Sequence, residues 1–218
     1  MPEITAQILG VTFDSSFKTP VLFKDARCEE VAQKALEAFA SYGLKPTQIG
    51  LRHRDPAFNY ELSFSLFKGN ANFTLSAEKL HMDFQNAVNP RDLEIIEDCV
   101  AKTYEHIPLP EIGSTFISAN LHATATSADE AQKFLSARAE PERGIVSVGT
   151  LANILCKSWP QEIRLQVERS LAYPAGLFLT WATHHPGGAI SREALKELGK
   201  AIEESVTKFD LAFSKRIQ

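Results

Sequence analysis

Two clusters in this 218-residue sequence carry residue types that could do chemistry. Leu51-Arg52-His53-Arg54-Asp55 is the densest basic group in the chain. Two arginines on one face of a strand could hold a phosphate or carboxylate through paired, charge-assisted hydrogen bonds. The plainer alternative is an exposed strand end whose arginines pair with Asp55 or nearby acids, an arrangement worth little energetically. The second cluster, His184-His185, precedes Pro186-Gly187-Gly188. That breaker sequence predicts a loop, where site residues often lie. Adjacent side chains on an extended segment point to opposite sides, so the two imidazoles make a poor chelate.

No His-x-x-x-His, Cys-x-x-Cys or compact acidic set accompanies the histidine pair, so neither a metal nor a cofactor is expected. Gly-x-Ser-x-Gly is missing too, as are the glycine-rich phosphate loops. His53, His81, His106 and His122 are scattered and read as surface or satisfied residues. Cys28, Cys99 and Cys156 are odd in number and far apart, which draws no disulfide framework. The balance leans away from an enzyme.

Composition narrows the partners. Net charge is −4 and the isoelectric point is near 5.9. Nucleic acid and anionic membranes are attracted by surplus Lys and Arg, which this chain lacks. Fourteen Phe against four Tyr and two Trp imply a well-filled core. The first residues lack the basic and apolar regions of a signal peptide, and no apolar run approaches a membrane span. The expected location is cytoplasmic.

The elements that must position these residues follow from periodicity. Strand alternation is clearest from Tyr60 to Phe67, with Leu62, Phe64 and Leu66 on one face. A strand is expected over Ile4–Phe13 and a helix from Asp25 to Gly43. A short strand follows at Ile49–Arg54, then strands around Phe73 and Leu80–Gln85. Asn89-Pro90 opens a helix whose apolar stripe is Leu93, Ile96, Val100, Tyr104 and Ile107. Pro108–Gly113 reads as a boundary, after which the order begins again. A long strand covers Thr115–Thr126, a helix capped by Ser127 and Glu130 reaches Arg138, and Pro141 to Gly144 forms a turn. Strands are expected within Gly144–Leu155, Glu162–Arg169 and Leu177–Thr183. A final helix starts at Ser191, with Leu195, Leu198, Ile202, Val206 and Phe209 on its stripe, extending to Phe213.

The two helical stripes match at an offset of 102 residues (Leu93 to Leu195), and the strands at 101 (Leu62 to Ile163). The fold expected is therefore α+β in two similar halves, 1–109 and 110–218, packed as one pseudo-symmetric unit. Each half runs strand, helix, three to four antiparallel strands, helix, with the helices on one face of a curved antiparallel sheet. This order resembles the TATA-binding-protein-like and helix-grip class, a resemblance of architecture that carries no function.

Such a sheet leaves a face to be solvated or covered. Here that face is rich in Ser, Asn and Thr. The function expected is a non-catalytic binding or assembly protein that uses this polar face for a protein partner or for self-association. The alternative is a small-ligand protein or enzyme, taking a small anion in a pocket between the sheet and the C-terminal helix. The candidate binding residues are Arg52, His53, Arg54, Asn72, Arg164, Trp181, His184 and His185.

Overall fold

A computed structural model describes residues 4–21, 25–54, 59–85, 93–136 and 149–217, with the backbone alone at 25–26, 53–54, 59 and 214–217. The fold is α+β, built on a large, mainly antiparallel sheet. In chain order the elements are β1 (Thr5–Phe17), α1 (Asp25–Ala38), β2 (Ile49–Arg54), β3 (Asn59–Leu66), β4 (Ala71–Leu75), β5 (Lys79–Gln85) and α2 (Leu93–His106). There follow β6 (Ile112–Thr124), α3 (Ala128–Ser136), β7 (Thr150–Ile154), β8 (Ile163–Arg169), β9 (Gly176–His185), α4 (Arg192–Lys196), α5 (Leu198–Thr207) and β10 (Ala212–Ile217). The expected features at Asn89-Pro90, Arg138 and Pro141–Gly144 lie outside the described residues. Among these residues no helix is long and apolar enough to cross a membrane.

The ten strands form one sheet in the order β2-β3-β4-β5-β1-β6-β9-β8-β7, with β10 added beside β1. The register explains why alternation was so legible. Met82, Phe13, Ile117 and Thr183 stand opposite one another across β5, β1, β6 and β9, and all are buried. Phe84, Val11, Ala119 and Trp181 make the next row. Every second residue therefore falls on one core face, as a period of two requires. Phe39 at the end of α1 closes over this face, its ring centroid 5.4 Å from Phe64 and 5.3 Å from Phe73. Phe64 and Phe73 stack at 4.5 Å.

Helix contributions come from the expected stripes. Ile96 and Val100 of α2 and Leu195, Leu198, Ile202 and Val206 of α4 and α5 are fully buried in the same core. Ser191 caps α4, accepting a hydrogen bond from the Ala194 amide at 3.2 Å. Ser127 does the same for α3 through the Glu130 amide (3.1 Å), while Glu130 turns back to the amide and hydroxyl of Thr126.

The C-terminus requires a correction. The last helix breaks at Glu197 and ends at Thr207, well short of Phe213. Asp210 adopts φ 58°, which reverses the chain into β10. The reason lies in β1. Strand β5 pairs with β1 only from Gly10 onward, which leaves the edge at Thr5–Ile8 open. There β10 pairs in parallel, and the Ala212 amide donates to the Ile4 carbonyl at 2.8 Å. A backbone edge that would otherwise lack partners outweighs the helical spacing of Phe209 and Phe213. The switch occurs at a register shift between Ile8 and Gly10. Only glycine fits there, because a Cβ on Gly10 would stand 2.7 Å from the Phe84 carbonyl oxygen.

Candidate binding surface

The face of the sheet away from the core is continuous and mainly polar, with Phe116, Leu151 and Ala182 as apolar points. One row crosses eight strands, Ser65, Asn72, Asp83, Thr12, Ser118, Ala182, Arg164 and Asn153, each opposite the next. The adjoining row runs Ser63, Thr74, His81, Asp14, Phe116 and His184. These residues face outward because their neighbours in sequence are the buried ones. Short polar side chains keep the surface low, and Phe116, 44% exposed, stands out from it.

Charges on this face are largely paired. The Asp14 carboxylate meets His81 Nδ1 at 2.9 Å and accepts from Lys79 Nζ at 3.2 Å. Burial would push the Asp14 carboxyl up, but the hydrogen bonds and charges of His81 and Lys79 outweigh it and hold the group below the usual carboxylate range. Thr12 Oγ1 donates to Asp83 at 3.1 Å and Gln85 Nε2 donates to it at 2.8 Å. The surface is thus organised by cross-strand bonds, with little net charge.

The expected site residues divide between the two faces. Asn72, Arg164 and His184 lie on the outer face. Asn72 donates to the Gly69 carbonyl at 2.7 Å; Arg164 and His184 are exposed. Arg52 is exposed on β2, opposite Glu61. His53 and Arg54 belong to the same strand, and their side chains lie outside the described residues. The histidine pair ends β9 rather than occupying a loop, so its two rings point to opposite faces. His185 turns toward the core side and meets Gln161 Nε2 through Nδ1 at 3.0 Å. Burial, helped by the neighbouring His184, lowers its pKa.

Trp181 is fully buried, with its indole Nε1 donating to Ser205 Oγ at 3.1 Å. Trp159 packs edge-on against it at 6.2 Å. The space between α5 and the sheet is occupied by these rings together with Leu165, Val167, Ile202 and Val206, all fully buried. Polar groups there serve one another: Ser205 Oγ donates to the Ala201 carbonyl at 2.6 Å and contacts Cys156 Sγ at 3.3 Å.

Distance decides what the outer face can bind. Asn72 on β4 and Arg164 on β8 are five strand spacings apart, roughly 24 Å at ~4.8 Å each. Arg52 on β2 is two spacings further out. No single small molecule spans such points. Among the described residues, no three His, Cys, Asp or Glu side chains converge as metal ligands. Sequence reasoning missed the Asp14–His81–Lys79 and Thr12–Asp83–Gln85 groups. Alternation put His81, Asp83 and Gln85 on the polar face, whereas Asp14 was expected in a loop after Phe13 and Lys79 in a turn. Strand β1 runs on to Phe17, and which residues meet depends on register. Compared with known proteins, the chain matches no family model and no curated sequence significantly.

Proposed function

We propose that this chain is a non-catalytic assembly protein that binds a second copy of itself through the outer face of the sheet. The observation that carries this reading is the continuous row from Ser65 to Asn153, polar except at Ala182, with its candidate contacts separated by lengths that only a macromolecule covers. From β3 to β7 the face measures roughly 34 Å across seven spacings and about 17 Å along the strands. A corrugated surface of that size approaches the ~800 Å² that each partner of a standard interface covers.

A second copy suits this face because the row's acid, Asp83, and its base, Arg164, lie on opposite sides of its centre. A two-fold axis along the β1–β6 ladder lays β4 and β5 over the other copy's β8 and β9. Asn72 and Asp83 then meet Arg164, and like charges are not brought together. We read the chain as a duplicated unit, 1–109 and 110–218, with helices on the core side. The strand order supports this, since β1 with β6, β5 with β9 and β4 with β8 lie symmetrically about the centre.

Size-exclusion chromatography with light scattering over a wide concentration range tests the proposal. A concentration-dependent dimer that Arg164→Glu or Asn72→Glu weakens is the expected result. A strict monomer overturns it.

A further inference from the structure

A cleft of about 520 Å³ opens at one end of the sheet, away from the outer face. It lies where the end of α2, the segment 108–113 and the loop after β9 meet the end of β1. Its volume falls within the ~300–1,000 Å³ usual for small-ligand sites. From this cleft we infer a binding site for a small organic anion, an apolar body bearing one carboxylate or phosphate group.

The apolar body has a wall to rest on. Tyr104, Ile107, Leu109, Pro110 and Pro186 all line the cleft. The Tyr104 ring is held in place through its hydroxyl, which meets Ser15 Oγ at 2.7 Å. Ser15 Oγ in turn meets Thr115 Oγ1 at 3.0 Å, and Thr115 donates to the Gly188 carbonyl at 3.3 Å. Ser15 and Thr115 are fully buried, so this hydroxyl chain fixes floor and loop to each other. The site is preorganised on that side.

The anion has donors. Gly187, Gly188 and Ala189 line the cleft, and among the described residues their amides meet no acceptor. The two glycines carry no side chain to keep a ligand from the backbone. Lys18 supplies the positive charge at the rim. Its Nζ is held at 2.5 Å by Glu111, another lining residue, and both side chains are more than half exposed. Glu111 therefore occupies the place at Lys18 that a ligand's anionic group would take. The site is competed for from within.

That competition gives two variants opposite signs. Lys18→Gln removes the cation and Glu111→Gln removes the competitor, and neither disturbs the core because both residues are exposed. Amide resonances of Gly187, Gly188 and Ala189 are followed by NMR while phenyl phosphate or benzoate is titrated. Saturable shifts with a Kd near or below ~1 mM are expected. Lys18→Gln weakens binding about ten-fold and Glu111→Gln tightens it several-fold, as the loss and gain of one charge-assisted contact predict. A preference for phenyl phosphate over benzoate assigns the anionic group as phosphate, and the reverse as carboxylate; either supports the site. Absence of saturation by both probes up to ~10 mM in wild type and in Glu111→Gln overturns it. Equal affinity for inorganic phosphate, or unchanged binding in Lys18→Gln, also overturns it. Self-association is measured separately, and its failure leaves this titration unaffected.

Discussion

Asp14 and His81 face each other across the β1–β5 ladder, and their side chains meet at 2.9 Å on the outer face. The pair is separated by 67 residues in sequence, so it forms only with the sheet. Because the folded environment depresses the Asp14 pKa, its contribution is present above the unfolded value of 3.8 and is lost as pH falls through the lower folded value. Asp14→Asn is expected to cost about 0.5–1 kcal/mol at neutral pH, the scale of a partly exposed ion pair. At pH below the folded pKa the variant and wild type should have equal stability. Urea unfolding at several pH values measures both; a cost independent of pH would contradict the ionic account.

The opposite sign holds for Glu97 on α2. Burial raises its pKa to about 7, Glu94 and Glu197 adding to the rise and Lys196 opposing it. A carboxylate whose folded pKa is raised stabilises the fold at low pH and loses that contribution as pH rises, here between 4.5 and about 7. Glu97→Gln should therefore raise the melting temperature at about pH 8 and change little at about pH 5. Calorimetry at the two pH values checks the sign. Partial exposure of the side chain moderates the effect.

Why Leu62, Phe64 and Leu66 were readable from sequence while Asp14–His81 was not is a matter of range. A strand's alternation is local and reports which residues are buried. The same holds for Leu93, Ile96, Val100 and Tyr104 on α2 and for Ile107 just after it, which lie on the core at the expected spacing. Partners on the outer face depend on register, which long-range pairing sets. Phe209 and Phe213 show the converse failure. Their spacing from Val206 continues a helix, and both pack on the core, yet the open edge of β1 draws Phe213 into a strand. The loop expected at His184-His185 was misplaced by two residues for a similar reason. Pairing with β6 carries β9 through His185, opposite Thr115, before Pro186 stops it. The cleft lined by Lys18, Tyr104 and Gly188 draws on three distant segments, which no local pattern joins.

His122 and Gly176 form a tight pair near the other end of the β6–β9 ladder. A Cβ on Gly176 would lie 2.5 Å from His122 Nε2, 2.9 Å from Ser170 Cβ and 3.1 Å from Tyr173 Cβ. The His122 ring also packs edge-on against Tyr173 at 5.1 Å, and burial lowers its pKa. Gly176→Ala should destabilise by about 1–3 kcal/mol, as overpacking does. His122→Ala in the same chain should restore part of that loss, giving a coupling of about 0.5 kcal/mol or more. Additive losses in the double-mutant cycle would place the strain at Ser170 and Tyr173 instead.

Trp181 separates the needs of the core from those of the outer face. Its side chain has no exposed surface, and its Nε1–H is the donor to Ser205. Trp181→Phe removes that bond and leaves a buried hydroxyl with one partner fewer, which together with the lost ring volume should cost about 2–4 kcal/mol. The midpoint of urea unfolding should fall with the slope unchanged. If the outer face is the interface, as proposed, this core-side ring takes no part in it, and the dimer constant of the folded Trp181→Phe variant should match wild type within about two-fold. Arg164→Glu should do the reverse, weakening the dimer while its monomer keeps its unfolding free energy within about 0.5 kcal/mol, as exposed positions do. A Trp181 variant that stays folded yet fails to dimerise would move the interface from the outer face to the core side of the sheet.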